Sequence, residues 1–134
     1  MRECDLAWIA GFLEGEGTFG CNARTSKENP GLPFPRVQLT ADSTDEDVIR
    51  RLHRLAGGRV AGPYDTGHKP VWRWRLSRKA EIKVLCTALL PLMGQRRARQ
   101  VTLILTAIEA TEGLAWTRRR QKAARMTGTE AWSV

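Results

Sequence analysis

Between Leu6 and Phe19 the chain reads LAWIAGFLEGEGTF, an apolar stretch with helical spacing that runs out into two glutamates set among glycines. At about 100° per residue, Leu6, Trp8, Ile9, Phe12 and Leu13 gather on one broad face, and Ala7, Gly11 and Gly15 stack on the other at four-residue spacing. A glycine inside a helix costs about 1 kcal/mol relative to alanine. Two on one stripe therefore predict close approach by another backbone, most simply a second helix. Any fold for this chain must bury the bulky face and leave the bare one open to a neighbour. The helix also ends badly for its own electrostatics, because Glu14 and Glu16 face the negative end of the macrodipole. A bound cation would offset them. On spacing alone the acids could equally be structural, accepting from nearby backbone N–H groups or pairing with arginine.

The remainder alternates between two periods. Thr18 to Arg24 places Phe19, Cys21 and Ala23 on one side and Thr18, Gly20, Asn22 and Arg24 on the other, as a half-buried strand does. Residues 25–33 carry loop residues, and Phe34 to Thr40 alternates again, with Val37 and Leu39 inward and Arg36, Gln38 and Thr40 outward. Ser43 or Thr44 is expected to cap a helix with an acidic first turn and basic later turns, stopped by Gly57 and Gly58. A short strand from Arg59 to Gly62, a turn over Asp65 to Lys69 and a strand from Val71 to Ser77 follow. In the last of these Trp72, Trp74 and Leu76 oppose Arg73 and Arg75. Ser77 is expected to cap a helix over residues 78–90, and a last helix over about 96–112 is expected to stop at Gly113. The order predicts an α+β fold, an antiparallel four-stranded sheet backed by helices on one face, formed by residues 1–112. The basic tail, 113–134, reads as a helix or a disordered arm.

Charge narrows the partner. The formal net charge is +8 and 17 of the 22 basic residues are arginine, whose forked guanidinium suits phosphates and guanine edges. The outward strand residues Asn22, Arg24, Arg36, Gln38, Arg73 and Arg75 supply the donors and acceptors needed to read base edges in double-stranded DNA, so all six are expected DNA contacts. Acids beside such a surface suggest phosphodiester hydrolysis assisted by Mg²⁺, or by Mn²⁺, for which oxygen ligands are suited. The three cysteines and two histidines have neither disulfide nor zinc spacing. No apolar run approaches the ~18 residues of a membrane span. Met1 to Asp5 shows no signal peptide, so the expectation is an intracellular protein of cytoplasm, nucleoid or organelle, with no membrane partner.

Ile9 to Gly17, IAGFLEGEG, resembles the LAGLIDADG motif of homing endonucleases, with identity at Ala10, Gly11 and Gly17 and conservative replacement elsewhere. The order of elements over residues 5 to about 112 is similar to that family's αββαββα core, whose sheet forms a saddle on DNA. The resemblance implies a site-specific double-strand endonuclease of intron or intein homing. With one motif, it implies a homodimer on a long pseudo-palindromic site. Glu16 corresponds to the metal-binding catalytic acid, and Ala7, Gly11, Gly15 and Glu14 to the helix seam between copies, Glu14 mainly structural. Both acids are Glu where the motif's letters are Asp. A basic residue before the last helix often assists at the cleaved phosphate in the family, which points to Arg96, with the adjacent Arg97 as a further DNA contact. A polar residue at the end of the second strand often positions water. Ala41 cannot, which leaves Asp42. The alternative is a non-catalytic DNA-binding regulator, or a maturase binding RNA, on the same fold.

Overall fold

The computed structural model of the chain describes residues 1–25 and 33–126, the side chains of 23–25, 33, 34 and 114–126 excepted. The motif segment forms helix α1, Glu3–Glu16, and passes directly into β1, Gly17–Thr25. A Cβ on Gly17 would lie 2.6 Å from the backbone oxygen of Leu13, so the change from helix to strand leaves room only for glycine. Strand β2, Pro33–Ser43, returns antiparallel and leads through a short turn, in which the Asp45 N–H donates to Ser43 Oγ, into α2, Glu46–Ala56. Strands β3, Arg59–Tyr64, and β4, Val71–Leu76, form the second hairpin; α3, Lys79–Leu89, a 3-10 turn over Leu90–Leu92, and α4, Gln95–Met126, complete the described chain.

The strands form one antiparallel sheet in the order β1-β2-β4-β3. Register carries the alternation of each strand onto its neighbours. Phe19, Leu39 and Leu76 share a row, as do Ala41 and Trp74, and all face the helices. Ile9 and Leu13 of α1, Ile49 and Leu52 of α2, Ile82 and Leu89 of α3, and Val101, Ile104 and Ile108 of α4 cover that side, each 0 % exposed. Burial of an aliphatic side chain of this size contributes roughly 1.5–3 kcal/mol, so the sheet's inner face and the helical stripes hold each other in place. Trp74, the largest buried side chain, satisfies its indole by donating from Nε1 to the Gly57 carbonyl at 2.7 Å. Close by, a Cβ on Gly58 would strike the Arg75 carbonyl at 2.6 Å, and its φ of 83° is one that side chains rarely adopt.

Several local expectations change. Asp45, rather than Ser43 or Thr44, takes the N-cap position of α2, with no side-chain cap. Helix α3 starts one residue late, with Arg78 rather than Ser77 in the N-cap position and no side-chain cap. Strand β2 reaches Ser43, which brings Asp42 into the sheet opposite Arg73. Helix α4 does not stop at Gly113. Its backbone continues to Met126, since the ~1 kcal/mol cost of one glycine does not end a helix without further breakers.

Candidate active site and nucleic-acid interface

Helix α1 delivers its two acids to different surroundings. The Glu14 carboxylate accepts the Gly94 N–H just ahead of α4, and its backbone oxygen accepts Arg97 Nε at 3.1 Å. The carboxylate also lies 3.7 Å from Arg97 Nε. A Cβ on Gly94 would lie 2.6 Å from Glu14 Oε1, too close unless the Glu14 side chain moved. Glu14 thus staples the end of one helix to the start of another, where a negative charge favours the N-terminus of α4. Glu16 is exposed, and among the described residues it has no hydrogen bond or ion pair within the chain.

Arg97 is 8 % exposed, with its guanidinium 5.4 Å from the Phe19 ring centroid and Nη1 donating to Gln100 at 3.0 Å. Burial, aided by the neighbouring charge of Arg96, lowers its pKa from the usual arginine value, against the pull of Glu14. It packs on the helix side of the sheet. Arg96, one residue earlier, is exposed.

A cleft of about 680 Å³ opens beside the motif helix, lined by Trp8, Phe12 and Glu16 of α1, by Asp42 and Ser43 at the end of β2 and by Asp45 just ahead of α2. Trp8 and Phe12 stack as near-parallel rings, centroids 5.5 Å apart, and the Arg51 guanidinium caps Trp8 at 4.2 Å. The other side of α1 is bare. Ala7, Gly11 and Gly15 are exposed, and a Cβ added at either glycine would meet nothing within 4 Å of the single chain.

The sheet's outward face carries the polar residues that alternation assigns to it. Asn22 pairs with Arg36, Gly20 with Gln38, Thr40 with Arg75, and Asp42 with Arg73. Arg24 is in register opposite Phe34, but its side chain lies outside the described residues. Asn22, Arg36 and Arg75 are exposed and Gln38 half-buried. The face is not free of acid. Asp42 receives two hydrogen bonds from Arg73, Nε to Oδ1 at 2.8 Å and Nη2 to Oδ2 at 3.0 Å. The hydrogen bonds and charge of Asp42 raise the Arg73 pKa above its usual value. On the other side the Tyr64 ring centroid is 5.6 Å from the guanidinium.

Two members of this face went unnoticed in the sequence. Arg59 sits directly opposite Arg75, and Tyr64 opposite Val71. Carrying the alternation across β3 would have found Arg59, whereas Tyr64 depends on a register shift after Ala61 that no pattern announces. Ala41, 2 % exposed, belongs to the core side. Among the described residues no group of three or more His, Cys, Asp or Glu converges as a metal site, and no helix is long and apolar enough to cross a membrane.

A single carboxylate at the end of a motif helix, a bare helical stripe beside it and an arginine-bearing sheet define a protein class that comparison with known proteins identifies. The family model for LAGLIDADG endonucleases matches residues 9–103, and the chain belongs to that family. Among solved structures, the homing endonuclease I-CvuI in complex with a DNA target superposes with a TM-score of 0.67 at 21 % identity, over 80 % of this chain and 67 % of that one. The archaeal intron-encoded homing endonuclease I-Vdi141I, complexed with DNA, gives 0.66 at 17 % identity over 81 % of this chain and 69 % of that one. The group I intron-encoded I-CeuI, also complexed with DNA, gives 0.68 at 11 % over 96 % and 65 %. No curated protein matches the chain by sequence. The αββαββα expectation for the fold is met, with α4 appended to it.

Proposed function

We propose that this chain is an intracellular, site-specific DNA endonuclease of the homing type that cuts both strands as a symmetric homodimer, with Glu16 of each copy as the catalytic acid. The observation that carries the reading is the contrast between the two motif acids. Glu14 is consumed by an internal staple, while Glu16 projects from the same helix end without an internal partner, beside a helical stripe that nothing in the single chain covers. Two copies meeting through Ala7, Gly11 and Gly15 would bring two Glu16 carboxylates close together over one duplex.

The donor set fits a divalent cation of the Mg²⁺ or Mn²⁺ type. Such ions are held by one or two carboxylates, with water and substrate phosphate supplying the other ligands, so an isolated exposed Glu16 suffices where a three-ligand protein cage would be needed for zinc. When bound, the cation supplies a water nucleophile of lowered pKa and charge stabilisation at the phosphate. The chain's own residues do the rest. Arg96, exposed at the start of α4, offers positive charge to the cleaved phosphate. Asn22, Arg36, Gln38 and Arg75 meet base edges and backbone, with Arg24 in register to join them. Arg97 takes no part in DNA contact and holds the motif helix to α4.

The second reading, a non-catalytic DNA binder or an RNA maturase, draws support from Ala41, which is buried and has no polar side chain, and from Asp42, whose two carboxylate oxygens are each engaged by Arg73 where a water-positioning residue is expected. One assay separates the two. The DNA flanking the gene, joined across the insertion point, is incubated with the protein in Mg²⁺ or EDTA, beside Glu16→Gln. Cleavage of both strands in Mg²⁺ only, with the variant binding but not cutting, is the expected result. Undiminished cutting by the variant removes Glu16 from the mechanism, and binding without any cutting by the parent favours the second reading.

A further inference from the structure

On the outward sheet face Arg73 is held unlike its neighbours. Asp42 occupies its Nε and one Nη2 hydrogen through two hydrogen bonds across the β2–β4 pair, and the Tyr64 ring supports the guanidinium. Arg36 and Arg75 have no hydrogen bond or ion pair among the described residues. A carboxylate on the Nε side of a guanidinium leaves the terminal edge, Nη1 with the remaining Nη2 hydrogen, free in a fixed plane. That edge has the spacing needed to donate to O6 and N7 of one guanine in a major groove. The Arg73 side chain is 41 % exposed and Asp42 43 %, so the pair is open to a ligand without being loosely solvated.

An acid on a DNA-facing surface opposes phosphate, and an exposed ion pair adds little to stability. Its net effect in the free protein is to remove rotamer freedom from one arginine before DNA arrives, an ordering that would otherwise be paid on binding. We propose that Arg73 reads a guanine in each half-site and that Asp42 is its positioning residue, setting base preference rather than taking part in hydrolysis. The inference rests on the DNA-endonuclease reading above.

The test uses Glu16→Gln as a non-cutting parent and selects bound molecules from a pool of duplexes with a randomised core, each variant's fold being checked by its thermal transition. The parent should enrich a guanine at one position per half-site, and Arg73→Ala should abolish that preference. Asp42→Asn should reduce it about tenfold, within the range a bidentate pair discriminates, and Asp42→Glu should restore part of it. Asp42→Asn should also bind random-sequence duplex more tightly, having lost a negative charge. An unchanged base preference in Asp42→Asn, with or without slower cutting when Glu16 is restored, overturns the inference alone. A parent that enriches no duplex overturns the endonuclease reading and the inference together.

Discussion

Replacement of Glu14 by alanine tests whether the first motif acid is a staple. The carboxylate accepts the N–H of Gly94 at the head of α4, and hydrogen bonds to charged groups contribute roughly 1.5–3 kcal/mol. With the Glu14 side chain 40 % exposed, solvent screening puts the value near the lower end, about 1.5 kcal/mol. A negative charge at a helix N-terminus adds about 0.3–1 kcal/mol. The bond from Arg97 to the Glu14 backbone oxygen survives the substitution, so it contributes nothing to the loss. The sum is about 2 kcal/mol, or roughly 6–10 °C in Tm for a chain of this size. Glu14→Gln keeps an acceptor but not the charge and should lose about half as much. Urea unfolding at fixed protein concentration measures this, with an unchanged slope expected because the surface exposed on unfolding is the same. A loss below about 0.5 kcal/mol for Glu14→Ala, combined with failure to cleave DNA, would refute the staple and place Glu14 in the chemistry instead.

Gly11→Leu should leave the single chain folded, since nothing stands within 4 Å of a Cβ added there, and should shift the proposed dimer to monomer in sedimentation; a variant that still dimerises would move the seam elsewhere. Trp74→Phe removes the indole bond to Gly57 and opens space in the core, and should lower stability by about 1–2 kcal/mol without altering the cleavage position on DNA. Burial pushes the Cys86 thiol up from 9.0 to about 12, so it should resist thiol reagents in the native protein at pH 8, where exposed Cys4 reacts at once. The unfolded thiol ionises first. Its contribution is therefore full below about pH 9 and is lost as pH rises toward 12, and Cys86→Ala should flatten stability across that window.

The sheet was legible because its signal is local. Alternation in Val37 to Thr40 and in Trp72 to Leu76 fixes which side of each strand meets the helices, and pairing carries that assignment across the sheet. The bare stripe of α1 was legible for the same reason, being a property of one helix. What escaped depends on partners distant in sequence. Asp42 and Arg73 are 31 residues apart, and their pairing depends on how far β2 extends. Arg97 looked like one cation among several in GQRRARQ. Yet Arg97, Val101, Ile104, Ile108 and Thr111 recur at intervals of four, three, four and three and are the buried stripe of α4. Reading that spacing backwards from Val101 would have put Arg97 inside. Helix α4 extends past Gly113 because a lone glycine is a weak stop signal, and no proline follows it within the helix.

Arg59 and Arg75 face each other across the β3–β4 pair, with no acid opposite either, on a chain whose formal net charge is +8. Like charges directly opposed across strands are destabilising, so this hairpin folds against its own electrostatics. Duplex DNA seated on this face, as proposed, would add counter-charge, and part of its binding energy would then also stabilise β3 and β4. Hydrogen exchange in that hairpin should slow when DNA is added, and polyanions of no particular sequence should reproduce part of the effect at low salt. On these terms a duplex on this face would act as a further stabilising element for an outer hairpin that the chain already forms by itself.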